Sequence, residues 1–175
     1  MRQTSVRGNP IWTITAGGSG PAQVITNPIT VANGSVWANP PAGSAWVSTT
    51  TANSLPPTTY SLSYTFNNSA SAVLTFRALA DNQLRVYINN AVSPVFTFVG
   101  LLAGDFSNLP TLQTINLAAG PTTIRLDVVN TGGFSGVLFA GDVSDVPEPS
   151  TFAAAALGVV AMGWRLRQRR APKST

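Results

Sequence analysis

Cysteine and histidine are both absent from this chain of 175 residues. Without cysteine there are no disulfide bonds, thiolate metal sites or cysteine nucleophiles, and without histidine a Ser-His-Asp triad cannot form. Charge is scarce as well, because charged residues make up 9% of the chain against about 25% in an average soluble domain. Thr, Ser, Asn, Gly and Pro fill the polar positions, a composition that favours strands and turns over helices.

Acidic side chains are too few and too scattered to indicate an enzyme. The chain has six Asp and Glu residues, and its one glutamate is Glu148. A glycosidase requires two positioned carboxylates, and nothing in the spacing of the aspartates between Asp81 and Asp145 brings two of them together. We therefore predict a protein without catalytic activity, without a cofactor and without a metal site.

The positive charge of the chain belongs to its C-terminus. The formal net charge is +4, yet residues 1–150 hold five arginines against six acids, whereas residues 151–175 hold five basic groups and no acid. A nucleic-acid-binding domain carries its basic residues on the folded body. This distribution argues against nucleic acid as a partner and assigns the high isoelectric point to the tail.

Three segments of different character follow one another at the C-terminus. The first is an acidic turn in which two prolines fix φ near about −65° and hold Glu148 on a stiff, extended segment. An uncharged apolar stretch comes next and ends at Trp164. The turn consists of Val146, Pro147, Glu148 and Pro149, and the closing basic cluster contains Arg165, Arg167, Arg169 and Arg170.

The flanks of the apolar stretch, more than its length, favour a membrane helix. Residues 150–164 would span roughly 22 Å as a helix, less than the ~30 Å hydrocarbon core of a bilayer, so length alone leaves a buried core helix open. The arginines form a stop of the cytoplasmic type, and Trp164 stands where an aromatic ring favours the interface. We predict a transmembrane helix over 151–166, a basic cytoplasmic tail over 167–175 and an N-terminal domain outside the cytoplasm.

This order of segments resembles the PEP-CTERM sorting signal of exported bacterial proteins, also called the ice-binding protein C-terminal domain. The resemblance implies an exosortase-type membrane transpeptidase as a partner, which recognises the motif from Pro147 to Pro149. The enzyme then releases the domain or transfers it to the cell envelope or an exopolysaccharide matrix, so that the helix is a temporary anchor. Export also requires an N-terminal signal, and because no apolar segment follows Met1 we expect the natural start upstream.

The first 142 residues show the pattern of an antiparallel β-sandwich. Apolar and polar residues alternate over 60–66, 74–79 and 84–89, and turn-forming residues separate these runs. No helical pattern precedes the acidic turn. The predicted organisation is an exported domain over 1–142 and a linker with the sorting motif over 143–150.

The alternating strands also resemble galactose-binding-like jelly rolls, which commonly bind carbohydrate. The resemblance is carried by an aromatic strand over 60–66, the segment 74–90 and the strand 123–133. It implies a fold and leaves the task of the domain open. Trp12 and Trp46 stand in apolar, strand-like contexts and are expected in the core.

Four residues are candidates for a ligand site, because sugar sites need aromatic faces and hydrogen-bonding side chains. Tyr87 shares the polar side of its strand with Arg85 and Asn89, which favours a surface position for all three. Trp37 lies in a loop-like segment and is compatible with the surface or the core.

We expect a surface or matrix protein without catalysis, associated with the cell envelope or an exopolysaccharide. The alternative is a carbohydrate-binding module that uses exposed aromatic residues. An ice-binding or adhesin role is less favoured. The argument against ice binding is that no regular Thr-x-Thr array is present. The threonines at Thr49–Thr51 and Thr58–Thr59 are consecutive, so neighbours would point to opposite faces of a strand.

Overall fold

The fold is seen in a computed structural model that describes residues 3–5, 12–25, 37–52, 54–100 and 103–146. Within these residues the chain consists of antiparallel strands and one short 3-10 helix, Ala103–Phe106. The predicted membrane helix, the basic tail and the sorting motif beyond Val146 lie outside the described residues.

No helix in the described part of the chain is long and apolar enough to cross a membrane.

Five long strands form the centre of the fold, and shorter strands surround them. The long strands are β7 (Thr58–Asn68), β8 (Ala72–Asp81), β9 (Gln83–Ile88), β12 (Gly120–Asn130) and β14 (Gly136–Asp145). The shorter strands are β1 (Gln3–Ser5), β2 (Thr13–Ala16), β3 (Gly20–Pro21), β4 (Gln23–Val24), β5 (Trp46–Ser48), β6 (Ser54–Leu55), β10 (Phe96–Val99), β11 (Gln113–Leu117) and β13 (Gly133–Phe134).

The strands form two six-stranded sheets and a two-stranded ribbon. Sheet 1 has the order β11-β8-β14-β5-β4, with β1 paired to the end of β14, and sheet 2 has the order β10-β9-β12-β7-β2-β3. The ribbon consists of β13 and β6. All the described pairings are antiparallel, which confirms the predicted antiparallel sandwich.

The main core lies between the two sheets, and period-2 alternation produces it. On sheet 2, Leu126 of β12 lies opposite Leu62 of β7 and opposite Val86 of β9. Leu74 and Phe76 of β8 face them from sheet 1, and all five side chains are fully buried within one cluster. Over most of their length these strands contribute every second residue to the core and turn the intervening residues outward, whereas the last four residues of β8 are all buried.

A second, aromatic core lies beside the first. Trp37 stacks on Trp46 with ring centroids 4.3 Å apart and an interplanar angle of 23°, and both rings are buried with Leu79 and Leu138. Trp12 is 3% exposed in the main core. The prediction that Trp12 and Trp46 are core residues is confirmed.

The end of the domain differs from the predicted boundary at residue 142. Strand β14 continues to Asp145 because β8 offers partners along its whole length, as far as the pair Asp145 and Ala72. The Val146 amide still donates a hydrogen bond of 2.8 Å to the Ser71 carbonyl. Residues 143–145 therefore belong to the sandwich, and a linker can begin only after Val146.

Two opposite ends of the sandwich follow from this topology. The exit end, where the chain leaves β14, is formed by the turns 69–71, 89–95 and 118–119 together with Val146. The opposite end, here called the far end, contains the turn between β8 and β9 and the segment 131–135.

Candidate functional site

The outer side of sheet 2 carries a cluster of polar and aromatic side chains. They occupy the positions that alternate with the buried residues of three neighbouring strands, β7, β9 and β12. We call this surface the Arg125 face, and it comprises Ser61, Arg85, Tyr87, Arg125 and Asp127.

Strand register brings these five residues together. Arg125 lies opposite Tyr87, and Asp127 lies opposite Arg85, across the pairing of β12 with β9. On the other side of β12, Asp127 lies opposite Ser61 of β7. Directly opposed side chains on one face of an antiparallel pair are close neighbours, about 5 Å apart at Cβ.

Arg125 is held by contacts on two sides. Its guanidinium carbon lies 4.1 Å from the centroid of the Tyr87 ring, within the range of a cation–π interaction. Its Nε lies 3.2 Å from Asp127 Oδ1, and the Ser61 hydroxyl donates a hydrogen bond of 2.8 Å to that same oxygen. The aromatic ring and the carboxylate therefore contact the guanidinium on two sides, although the Nε forms no well-aligned hydrogen bond among the described residues.

The Arg125 face offers donors and acceptors of the kind that bind sugar hydroxyls. A guanidinium has five N–H donors in a planar fork, and a carboxylate accepts through two oxygens. Arg85 is exposed on the same face, while the side chains of Arg125 and Asp127 are 38% and 26% exposed. The face thus combines two cations, one carboxylate and a hydroxyl on a rigid sheet.

Two of the predicted ligand residues lie on the Arg125 face, and a third lies beside it at the end of β9. Arg85 and Tyr87 both lie on the Arg125 face, but Tyr87 is only 8% exposed because Arg125 covers its ring. Asn89 is exposed where β9 ends, and its Oδ1 accepts a hydrogen bond of 2.9 Å from the Thr123 amide. Asn89 therefore helps to close the strand pairing beside the face.

Trp37 must be removed from the surface candidates. Its side chain is fully buried, and its indole Nε1 donates a hydrogen bond of 3.0 Å to Asp81 Oδ2. The segment around Trp37 is loop-like in composition, yet the ring packs on Trp46 inside the domain. A ring in this position cannot present its face to a sugar.

The Asp81 carboxyl belongs to a buried polar group near the far end. Asp81 is 5% exposed, and burial raises its pKa, while the hydrogen bond from Trp37 lowers the pKa in part. Burial likewise raises the pKa of the nearby Tyr60 hydroxyl, which lies beside the hydroxyls of Ser48 and Ser135. Among the described residues these three hydroxyls form no well-aligned hydrogen bond.

A groove of about 270 Å³ lies on the outer side of sheet 1. Arg77 and Thr75 of β8 and Asp142 of β14 provide its polar lining, and Leu109 and Leu112 are among its apolar walls. No aromatic ring of the described residues lines this groove. This concave surface lies on the opposite sheet from the Arg125 face.

Sequence reasoning missed three residues of interest. Arg125 and Asp127 occupy alternate positions of a strand that the sequence did predict, so period-2 alternation could have placed them on one face with each other. Their proximity to Tyr87 depends on strand register, which the sequence does not show. Phe134 is 46% exposed at the far end and lies edge-on to Trp37 at 6.5 Å, and nothing in its glycine-rich segment signals this exposure.

Two packed antiparallel sheets define the class of this domain as a β-sandwich. The fold is similar to the native structure of a family 35 carbohydrate binding module from Clostridium thermocellum. That similarity has a TM-score of 0.50 and 18% sequence identity, and it covers 83% of this chain and 100% of the other. At this identity the likeness concerns the fold.

Further solved structures show similarities of the same kind. A family 35 module from Paenibacillus barcinonensis matches with a TM-score of 0.41 and 18% identity over 83% of this chain and 100% of its own. The family 35 module of Cellvibrio japonicus Abf62 matches with a TM-score of 0.46 and 10% identity over 83% of this chain and 95% of its own. No curated protein sequence matches this chain significantly.

The C-terminal segment matches a known sorting signal. A family profile described as the PEP-CTERM protein-sorting motif matches residues 145–170. The chain therefore carries this sorting motif directly after a sandwich that resembles a family 35 carbohydrate-binding module. The match indicates an extracellular or surface protein that an exosortase processes.

Proposed function

We propose that this chain is a non-catalytic surface protein that an exosortase-type enzyme delivers to the cell envelope or an exopolysaccharide matrix. There its sandwich binds a glycan through the Arg125 face. The observation that carries the binding proposal is the position of Arg125, which Tyr87 and Asp127 hold on an exposed sheet surface.

The junction between the sandwich and the motif supports the sorting proposal. The profile match begins at Asp145, the residue at which β14 ends. A membrane enzyme that reads a linear signal needs it outside the folded body, and the motif begins where the strand pairing stops. The predicted helix over 151–166 would hold the chain in the membrane during recognition of Glu148, and the basic tail over 167–175 would remain in the cytoplasm.

Preorganisation of the Arg125 face supports the binding proposal. A long arginine side chain loses rotamer freedom when it binds a ligand, and contacts that already restrict it reduce that cost. Tyr87 and Asp127 provide these contacts on Arg125. The fixed guanidinium can donate to neighbouring sugar hydroxyls, the Asp127 carboxylate can accept from them, and the exposed Arg85 extends the donor surface.

A glycan-binding screen with matched arginine variants tests this proposal. Wild-type protein is applied to an array of bacterial exopolysaccharides and envelope glycans, and the best ligand is titrated against Arg125→Ala, Arg85→Ala and Arg77→Ala. We expect the two variants of the Arg125 face to lose about tenfold or more in affinity, the loss typical of hydrogen bonds to charged groups. Arg77→Ala, on the opposite sheet, should bind like the wild type.

Two results would contradict the binding proposal. The first is no glycan bound at high protein concentration. The second is a loss of binding in Arg77→Ala with wild-type binding in Arg125→Ala, which would place the site in the groove on sheet 1. A circular dichroism spectrum of each variant confirms that the sandwich is intact.

A further inference from the structure

The exit end of the sandwich carries an exposed apolar tip. In the hairpin between β9 and β10, Val92 is 96% exposed, the largest value among the exposed large hydrophobic side chains of the described residues. Val95 in the same hairpin is 43% exposed, and Val146 at the end of β14 is 40% exposed. An isolated exposed valine needs no explanation, but these three lie at one end of the domain.

The hairpin presents Val92 on a defined backbone. The Ala91 amide donates a hydrogen bond of 3.2 Å to the Ile88 carbonyl, and the Val95 amide donates one of 2.8 Å to the Val86 carbonyl. These bonds close the base of the loop on both sides of Val92. The tip is therefore built into the strand pairing of β9 with β10.

The exit end also lacks charge in its turns. The turns 69–71, 89–95 and 118–119 consist of Ser, Ala, Asn, Val and Pro residues, with no Asp, Glu, Lys or Arg among them. A surface of this composition avoids the largest cost of approaching an apolar phase, because no charge has to be desolvated. The acids nearest to Val146 along the chain are Asp145, at the last position of β14, and Glu148 in the sorting motif.

The sorting tail leaves the domain at this same end. Four residues, 147–150, separate Val146 from the start of the predicted membrane helix at 151. A fully extended chain spans at most about 3.6 Å per residue, so these residues reach no further than roughly 14 Å. While the tail is in the membrane, the exit end must stay near the bilayer surface.

We propose that the exit end is a membrane-facing surface, and that in the unprocessed chain the Val92 hairpin rests in the interfacial layer of the lipid bilayer. This inference depends on the proposed function, since it requires the tail to be the membrane anchor. The far end and Phe134 then point away from the membrane. The apolar contact restrains the orientation of the sandwich, so that the motif after Val146 lies at the depth of a membrane-embedded enzyme.

Single-cysteine labelling tests the proposal on the full chain, because the natural sequence has no cysteine that would compete for the label. Val92→Cys and Ser54→Cys are each labelled with an environment-sensitive fluorophore and reconstituted into phosphatidylcholine vesicles. Ser54 is the matched control because it is exposed and pairs with Phe134 at the far end. Lipids that carry a quencher near the headgroup report contact between the probe and the bilayer.

We expect strong quenching and a blue-shifted emission for the probe at position 92, with neither effect at position 54. Equal quenching at both positions, or none at position 92, overturns the proposal. Flotation of the vesicles separates this outcome from failure of the proposed function. Protein that floats without quenching at position 92 refutes only the membrane-facing surface, whereas protein that does not float refutes the anchor itself.

A charge variant provides a second measurement, in which position 92 does not carry the label. Val92→Asp should keep the fold, because the side chain is almost fully exposed. In this variant a fluorophore at Ala91→Cys should lose most of the quenching seen with Val92 present, since a carboxylate resists transfer into the interface. Unchanged quenching would contradict the role of Val92.

Discussion

The indole nitrogen of Trp37 donates a hydrogen bond of 3.0 Å to the Asp81 carboxylate inside the domain. The contact joins a ring that stacks on Trp46 to a carboxyl that is 5% exposed. A buried carboxylate with one hydrogen-bond donor among the described residues is poorly compensated for its lost hydration. The Trp37–Asp81 pair therefore couples the stability of the aromatic core to pH.

The first prediction concerns the pH dependence of stability. Burial raises the pKa of Asp81 above its ordinary value, so the folded chain holds this proton more tightly than the unfolded chain. The stabilisation that comes from proton binding at Asp81 is fully present below the ordinary aspartate pKa of about 3.9. It is lost as pH rises through the raised pKa of the folded chain. Urea unfolding followed by tryptophan fluorescence between pH 3 and 8 should show this decline, and Asp81→Asn should flatten it.

The control for this prediction is Trp37→Phe. This variant removes the hydrogen bond that partly lowers the pKa of Asp81, so it should destabilise the fold more at neutral pH than in acid. An Asp81→Asn profile with the same slope as the wild type would show that another group causes the pH dependence.

The second prediction concerns the Tyr60 hydroxyl. It is fully buried and has no well-aligned hydrogen bond among the described residues. Removal of this hydroxyl breaks no well-aligned hydrogen bond. Tyr60→Phe should therefore change the free energy of unfolding by no more than about 1 kcal/mol. The adjacent core variant Leu62→Ala should lose about 2–5 kcal/mol. A comparable loss in both variants would mean that the hydroxyl has a strong partner.

The third prediction separates two effects of glycine at Gly17, in the turn after β2, and at Gly20, the first residue of β3. Gly17 and Gly20 both have a positive φ, of 72° and 88°. A Cβ at Gly17 would lie 2.5 Å from the Thr59 carbonyl oxygen, whereas a Cβ at Gly20 meets nothing within 4 Å.

Gly20→Ala should therefore cost about 1–2 kcal/mol, from backbone strain alone. Gly17→Ala should cost about 1–3 kcal/mol more, because the overpacked methyl group adds to the same strain. Thermal unfolding of the two variants measures this difference, and equal melting temperatures would rule out the predicted clash.

The fourth prediction concerns the geometry of the Arg125 face. Arg125→Lys preserves the charge but removes the planar guanidinium that stacks on Tyr87. We expect glycan affinity to fall about tenfold, nearly as far as in Arg125→Ala. Isothermal titration with the best array ligand measures this, and Arg85→Lys is the comparison at an exposed position. Wild-type affinity in Arg125→Lys would mean that charge alone governs binding.

The fifth prediction concerns processing of the tail. Glu148→Gln should prevent cleavage of the chain in a host with an exosortase, because the motif loses its one carboxylate. Asp142→Asn is the control, since it removes an acid of β14 that lies outside the matched segment 145–170. Mass spectrometry of the intact protein and fractionation of the cells distinguish processed from unprocessed chain. A Glu148→Gln protein with wild-type mass and location would contradict the sorting proposal.

Much of the fold could be predicted because β-strand alternation is a local signal. Leu62, Val86 and Leu126 stand at alternate positions between polar neighbours, and their burial on sheet 2 follows from that period. The sorting motif is likewise local, since its prolines and Glu148 are adjacent in the chain. The end of the domain was predicted three residues early, because the continuation of β14 to Asp145 depends on distant β8.

The candidate site was predicted less well, because its parts come from distant strands. Arg85 and Tyr87 were identified from their own strand, but Arg125 and Asp127 join them only through the register of β12. Trp37 has a loop-like neighbourhood, and its burial depends on the Trp46 ring and the Asp81 carboxyl.

The sequence by itself determined the antiparallel sandwich, the absence of cysteine and histidine chemistry and the sorting motif, because each depends on composition or on residues close together in the chain. Tertiary structure alone decided that Trp37 is buried, that Arg125 covers Tyr87 and that Val92 lies at the end from which the tail leaves. The physical reason is that strand register and sheet order set these relationships. Both depend on pairings between residues many positions apart, which no local pattern encodes.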